Sequence, residues 1–193
     1  MMLQPLRVIF SVLLLLAALF AATAPLQPAR ADQTDNRLDD LFMRLLEAPG
    51  PGEAQLVEGL IWSIWVQSDD SAVQILMHDG IQAMSRGDHR HALSKFEQIV
   101  VIAPDFAEGW NKRATVHYLL GNYAQSLADI AKTLKLEPRH FGALAGRGLV
   151  YIELEDERRA LEAFEAALSI HPNLTSAAIN ASQLRKKLRD RRI

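Results

Sequence analysis

Residues 141–172 read FGALAGRGLVYIELEDERRALEAFEAALSIHP, with two apolar runs of helical period on either side of an acidic break. Leu144, Gly148 and Tyr151 recur at helical spacing, and Ala160, Phe164 and Ala167 do so again after an acidic break. Pro172 then stops the second run, because proline lacks an N–H and restricts the residue before it. The same writing appears 34 residues upstream as Trp110, Ala114, Ser126, Ile130 and Pro138, and again as Leu76, Gly80, Ala92, Phe96 and Pro104. Leu93, Leu127 and Leu161 keep the same offset, as do Ile102, Leu136 and Ile170. Every column stays within one class of side chain and no gap is needed, so the body is one unit written three times.

Each unit reads as a helical hairpin. A large residue followed four later by glycine or alanine lets two helices approach closely, as with Leu76 and Gly80 or Trp110 and Ala114. Gly87 and Gly121 are placed to end first helices. Ala92-Leu93-Phe96 and Ser126-Leu127-Ile130 then form the inner faces of second helices.

These units resemble tetratricopeptide repeats, on the strength of Trp110, Ala114, Pro138, Leu144, Gly148, Tyr151, Ala160, Phe164, Ala167 and Pro172. The first unit departs by carrying Ala83 where the motif favours tyrosine, and the second by carrying His117 there. With Glu108-Gly109-Trp110-Asn111 and His140-Phe141-Gly142-Ala143-Leu144, the chain is similar to exported alphaproteobacterial repeat proteins. The expected fold is all-α, a helical-hairpin solenoid with three repeats at 73–106, 107–140 and 141–172. Such a fold specifies function weakly.

Residues 173–193 read as a further helix with Leu174, Ala177, Ala178, Ala181, Leu184 and Leu188 on one face, a terminal cap for the stack. Residues 32–72 read as a helix pair broken at Pro49-Gly50-Pro51-Gly52. The pair is either a dedicated cap or a degenerate repeat in phase, since Asp70 lies 34 before Pro104. Residues 1–31 read as a secretory signal: Arg7, an apolar run Val8 to Ala22, then Ala29-Arg30-Ala31. That run has 15 residues, short of the ~20 that a membrane span needs. The expectation is a periplasmic or secreted protein cleaved after Ala31, or an inner-membrane-anchored one if the signal is retained.

Composition narrows function. The chain of 193 residues is 49% hydrophobic with a net charge of −2, so neither wholesale disorder nor bulk attraction to nucleic acid is expected. Cysteine is absent, which excludes disulfides, thiolate metal sites and a cysteine nucleophile. No phosphate loop, GxSxG elbow or HExxH occurs, so neither catalysis nor a cofactor is expected. His89 and His91 do not share a helical face and are too few for a structural zinc site. His140 and His171 fall at inter-repeat turns as polar helix-end residues, and His117 reads as a hydrogen-bonded interior residue. Glu153, Glu155, Asp156 and Glu157 read as a solvated helix start.

Two candidate binding regions remain. By the resemblance, first helices line a concave groove, giving Met77, Ile81, Asn111, Lys112, Thr115, Tyr118, Leu149 and Ile152 as candidates for holding a peptide or amphipathic helix of another protein. The resemblance also places Gly142 and Gly146 where some relatives carry carboxylate-clamping cations, which speaks against such a clamp. The groove is either open or filled by the N-terminal helices. The second region is the basic tail, Arg185, Lys186, Lys187, Arg189, Arg191 and Arg192, which could meet an anionic membrane, envelope glycan or protein. No feature of the sequence sets an oligomeric state.

Overall fold

The computed structural model describes residues 32–191; the signal reading on 1–31 and Arg192 lie outside them. The described residues form nine helices and no strand: α1 (Arg37–Glu47), α2 (Pro51–Trp65), α3 (Ser71–Ser85), α4 (His89–Ile102), α5 (Ala107–Leu119), α6 (Tyr123–Leu136), α7 (Phe141–Glu153), α8 (Glu157–Ile170) and α9 (Thr175–Asp190). The three hairpins α3/α4, α5/α6 and α7/α8 are the three written units, and the fold is an all-α helical-hairpin solenoid. None of these helices is long and apolar enough to cross a membrane.

Local chemistry sets the helix ends. Asp70 accepts hydrogen bonds from the backbone N–H of Ala72 and Val73 at 2.8 and 3.3 Å, Asp88 from His91 at 3.1 Å, and Asp156 from Arg159 at 3.0 Å. Each satisfies donors that the first turn leaves without partners. First helices end on a residue of positive φ: Gly87 at 75°, Gly121 at 74° and Glu155 at 57°. The following N–H reaches back to close the helix, Asp88 to the Ala83 carbonyl, Asn122 to His117 and Asp156 to Tyr151. Glu155 is the one non-glycine among the described residues with positive φ, so the third hairpin bears a backbone cost that its sisters avoid. Glu155→Gly should therefore stabilise the protein by about 1 kcal/mol, read as a higher urea midpoint with unchanged slope.

The small-residue columns have a direct packing cause. A Cβ on Gly80 would stand 2.5 Å from the Phe96 ring, and one on Gly148 2.7 Å from the Phe164 ring. Both rings are buried, so the phenylalanine of each second helix fills the space that its glycine vacates. Of the stripe read for the cap, Ala177, Ala181 and Leu184 of α9 pack on Ala160, Phe164 and Ala167 of α8, while Ala178 is exposed beside it.

The N-terminal pair takes neither of its simplest places. It has its own core of Leu38, Phe42, Leu45, Val57, Ile61 and Ile64, and it folds back over repeats two and three instead of stacking in front of α3. Phe141 at the start of α7 joins that core, with Ile170 and Leu174 packed against it. Ile75 of α3, whose counterpart Gly109 touches Ile99 of the preceding hairpin, is left 63% exposed.

Candidate functional site

The first helices α3, α5 and α7 line the concave face, and α2 lies across part of it. Trp62 and Trp65 carry the docking. The Trp62 ring stands where a Cβ on Gly142 would be, 2.7 Å away, so only glycine admits it. Trp65 stacks on His140 with centroids 4.1 Å apart and planes 12° apart. Lys112 holds its ammonium 5.2 Å over the Trp62 ring. Around these, Arg139 pairs with Asp39 at 2.7 Å, Asn173 donates to the Ala48 carbonyl at 3.1 Å, and Gln33 donates to the Asp105 carbonyl at 2.7 Å.

Beneath the tryptophans lies a buried polar network. The Ala143 N–H donates to His140 Nδ1 at 3.1 Å, so the ring proton sits on Nε2. That proton is donated to Glu108 Oε2 at 3.0 Å, which also accepts from Asn111 Nδ2 at 2.9 Å. Lys112 Nζ pairs with the other carboxylate oxygen at 2.9 Å. Burial pushes the Glu108 carboxyl up, but the Lys112 charge and the His140 hydrogen bond outweigh it and hold the group down at about 2. In a second link Glu58 accepts twice, from Trp62 Nε1–H on Oε1 at 3.2 Å and from His171 Nε2 on Oε2 at 3.2 Å. The His171 hydrogen bond lowers the Glu58 carboxyl from its ordinary value.

The rest of the groove is open. A cavity of about 190 Å³ lies between α5 and α7, walled by Asn111, Ala114, Thr115, Tyr118, Ala145, Gly146 and Leu149, with Ser126 and Ile130 of α6 at its floor. It exists because four of the five residues that α7 contributes are small, Gly142, Ala143, Ala145 and Gly146, with Leu149 the one large side chain.

Of the residues read as the groove, the structure brings Asn111, Thr115, Tyr118 and Leu149 together around this cavity. Asn111 and Thr115 have their polar groups engaged already, Asn111 on Glu108 and Thr115 Oγ1 on the Asn111 carbonyl at 2.9 Å. Lys112 flanks the cavity but is held by Glu108 and Trp62. Ile81 is exposed on α3, and Ile152 lines a different, more polar cleft with Asn180, Gln183 and Lys187. Met77 is corrected: it is 2% exposed in the core of the first hairpin, clustered with Val73, Ala83, Ala92 and Phe96, because its apolar side chain belongs to the stripe that α3 buries against α4.

The basic tail is largely spent inside the molecule. Arg185 pairs with Glu165 at 2.9 Å, and Lys187 and Arg191 both pair with Glu157 at 2.6 Å. Lys186 and Arg189 are exposed with no carboxylate partner among the described residues. His140 and His171, expected beside helix ends, are 0% and 1% exposed and form the seat of the N-terminal pair. The sequence reading missed Glu108, His140, His171 and Glu58 as one assembly. The available signal was two of the three tryptophans three residues apart in a single helix, a large apolar surface needing a partner to cover it.

A family model described as a tetratricopeptide repeat matches residues 141–174. A TPR repeat-containing protein of Rhizobium etli is 34% identical over 152 residues, covering 79% of this chain and 74% of its own. The chain belongs to the tetratricopeptide repeat family. Small glutamine-rich tetratricopeptide repeat-containing protein 2 of Saccharomyces cerevisiae is 26% identical, and the chain spans 39% of its length. Among solved structures, MamA superposes with a TM-score of 0.58 over 72% of this chain and 86% of its own, at 20% identity. The first TPR of Spaghetti (RPAP3), solved bound to the HSP90 peptide SRMEEVD, gives a TM-score of 0.57 over 59% of this chain and 90% of its own, at 19% identity. These structures share the tetratricopeptide fold.

Proposed function

We propose that this tetratricopeptide protein is an exported interaction module that holds a segment of another protein in the open part of its concave groove, without catalysis. The observation that carries this reading is the cavity of about 190 Å³ between α5 and α7. A buried cavity of ~150 Å³ can take a benzene ring, so this one has room for a phenylalanine, leucine or methionine side chain. A largely apolar cavity walled mostly by small side chains, between two helices whose neighbours interdigitate, presents a place for a guest. Peptide binding by solved domains of this fold supports a protein partner. Export rests on the 1–31 segment, and N-terminal sequencing should give Asp32 as the first residue; Met1 retained on membrane-bound protein would replace this with an anchored form.

Gly146 supplies the test of the groove. A Cβ there meets only Ile130 Cδ1, at 3.9 Å, so Gly146→Leu is accommodated and its branches enter the cavity. The exchange should raise stability by ~0.5–1 kcal/mol through helix propensity. It should also cut capture of the partner by a photo-crosslinker at Leu149, in intact cells, by on the order of tenfold, which is ~1.4 kcal/mol. Unchanged capture by the folded variant overturns the groove as the site.

A further inference from the structure

The chemistry of the partner can be read one step further, resting on the groove reading above. The charged groups at the groove-facing places of α5 and α7 are Glu108, Lys112 and Glu153. Glu108 and Lys112 neutralise one another at 2.9 Å. Glu153 is exposed and has no cation in ion-pairing range among the described residues. Its contacts are phenols: it accepts from Tyr123 Oη at 3.1 Å, and the Tyr118 phenol is pushed above its ordinary value by burial and then by the adjacent Glu153 carboxylate. Tyr118 is itself a wall of the apolar cavity, so Glu153 stands at the rim of that cavity. Glu155, two residues on and beyond the end of α7, belongs to the separate cleft that Lys187 and Arg191 line.

Leu149 of the cavity wall and Glu153 are four residues apart on one face, about 6 Å along α7. In an extended segment, side chains two residues apart lie on one face, spaced by about 7 Å. We propose that the open groove takes an extended segment that seats an apolar side chain in the α5/α7 cavity and sets a lysine or arginine, two residues away, on Glu153. The apolar wall supplies burial and the single uncompensated carboxylate at its rim supplies the sign of charge.

The test uses the full chain and fluorescein-labelled octapeptides of sequence Gly-Ser-Gly-Phe-Gly-Lys-Gly-Ser, with Gln or Glu in place of Lys and with Ala in place of Phe. Fluorescence polarisation at low salt reads binding. The Lys peptide should bind about threefold to fivefold more tightly than the Gln peptide, the range of an exposed ion pair, and the Glu peptide more weakly than either. The Ala peptide should lose binding, and Gly146→Leu should abolish it for all. Glu153→Lys, at an exposed position that leaves the fold intact by circular dichroism, should invert the order of the Lys and Glu peptides. Equal binding of the three charge variants, still blocked by Gly146→Leu, overturns the charge inference and leaves the groove reading standing. Binding indifferent to Gly146→Leu overturns the groove reading itself. An order unchanged in Glu153→Lys, or no binding of the Phe–Lys peptide at its solubility limit, also overturns the proposal.

Discussion

Lowering the pH from about 4.5 to about 2 should remove roughly 3 kcal/mol of stability through Glu108 alone. The carboxyl is 1% exposed and sits at about 2 in the folded protein, against 4.5 ordinarily. The folded value is the depressed one, so as pH falls the unfolded chain takes up the proton first. The stabilisation is therefore complete above about 4.5 and is lost as pH falls through the folded value. Glu108→Gln keeps the shape and removes the charge, leaving Lys112 and the His140 N–H without their anion. At pH 7 it should cost about 3 kcal/mol, a fall in Tm of ~6–12 °C for a chain of this size. Urea titrations at pH 7 and pH 3 check both statements: the variant should be less stable by about 3 kcal/mol at pH 7 and by only about 1 kcal/mol at pH 3, where the unfolded carboxyl is protonated and the folded one is still ionised. A parent and variant that lose stability in parallel on acidification would show that the network contributes nothing to acid sensitivity.

Gly148→Leu should destabilise the protein by about 3 kcal/mol, while the same substitution two residues earlier, Gly146→Leu, should stabilise it. Both glycines lie in α7, so helix propensity favours leucine equally at each. The difference is tertiary. A Cβ on Gly148 meets three atoms of the Phe164 ring at 2.7 to 2.8 Å, whereas a Cβ on Gly146 meets one methyl at 3.9 Å. Phe164 is 1% exposed and packed against α9, so it has nowhere to retreat. Thermal melts of the two variants should move in opposite directions. Movement in the same direction would mean that α7 does not sit on α8 as described.

How much of this was legible in the sequence differs from residue to residue. The glycine-for-phenylalanine exchange at Gly80 with Phe96 and at Gly148 with Phe164 was legible, because the partners lie in one hairpin and recur at a fixed period. The turn glycines were legible for the same reason, although their third counterpart, Glu155, hid its positive φ behind a side chain that ordinarily avoids it. Met77 was misplaced on the groove because periodicity gives the face of a helix only to within one stripe. His140 and His171 stood at turns, where a polar residue is ordinary, and nothing local to either announced its burial.

The sequence by itself determined the repeat, its period of 34, the hairpins, their turns and the carboxy-terminal cap. Each depends on neighbours within one or two units, and local spacing encodes such contacts. Only the tertiary structure decided where the N-terminal pair goes, and with it how much of the groove is open. Those contacts join residues far apart in the chain, Glu58 to His171 across 113 positions and Ala48 to Asn173 across 125. No periodicity links such residues. Trp62 finds Gly142, and Trp65 finds His140, only because the solenoid has first brought the starts of α5 and α7 side by side. The cavity follows from the same geometry: Gly146 is an unremarkable letter in the sequence, and becomes a vacancy only when Thr115 and Tyr118 face it from the neighbouring repeat.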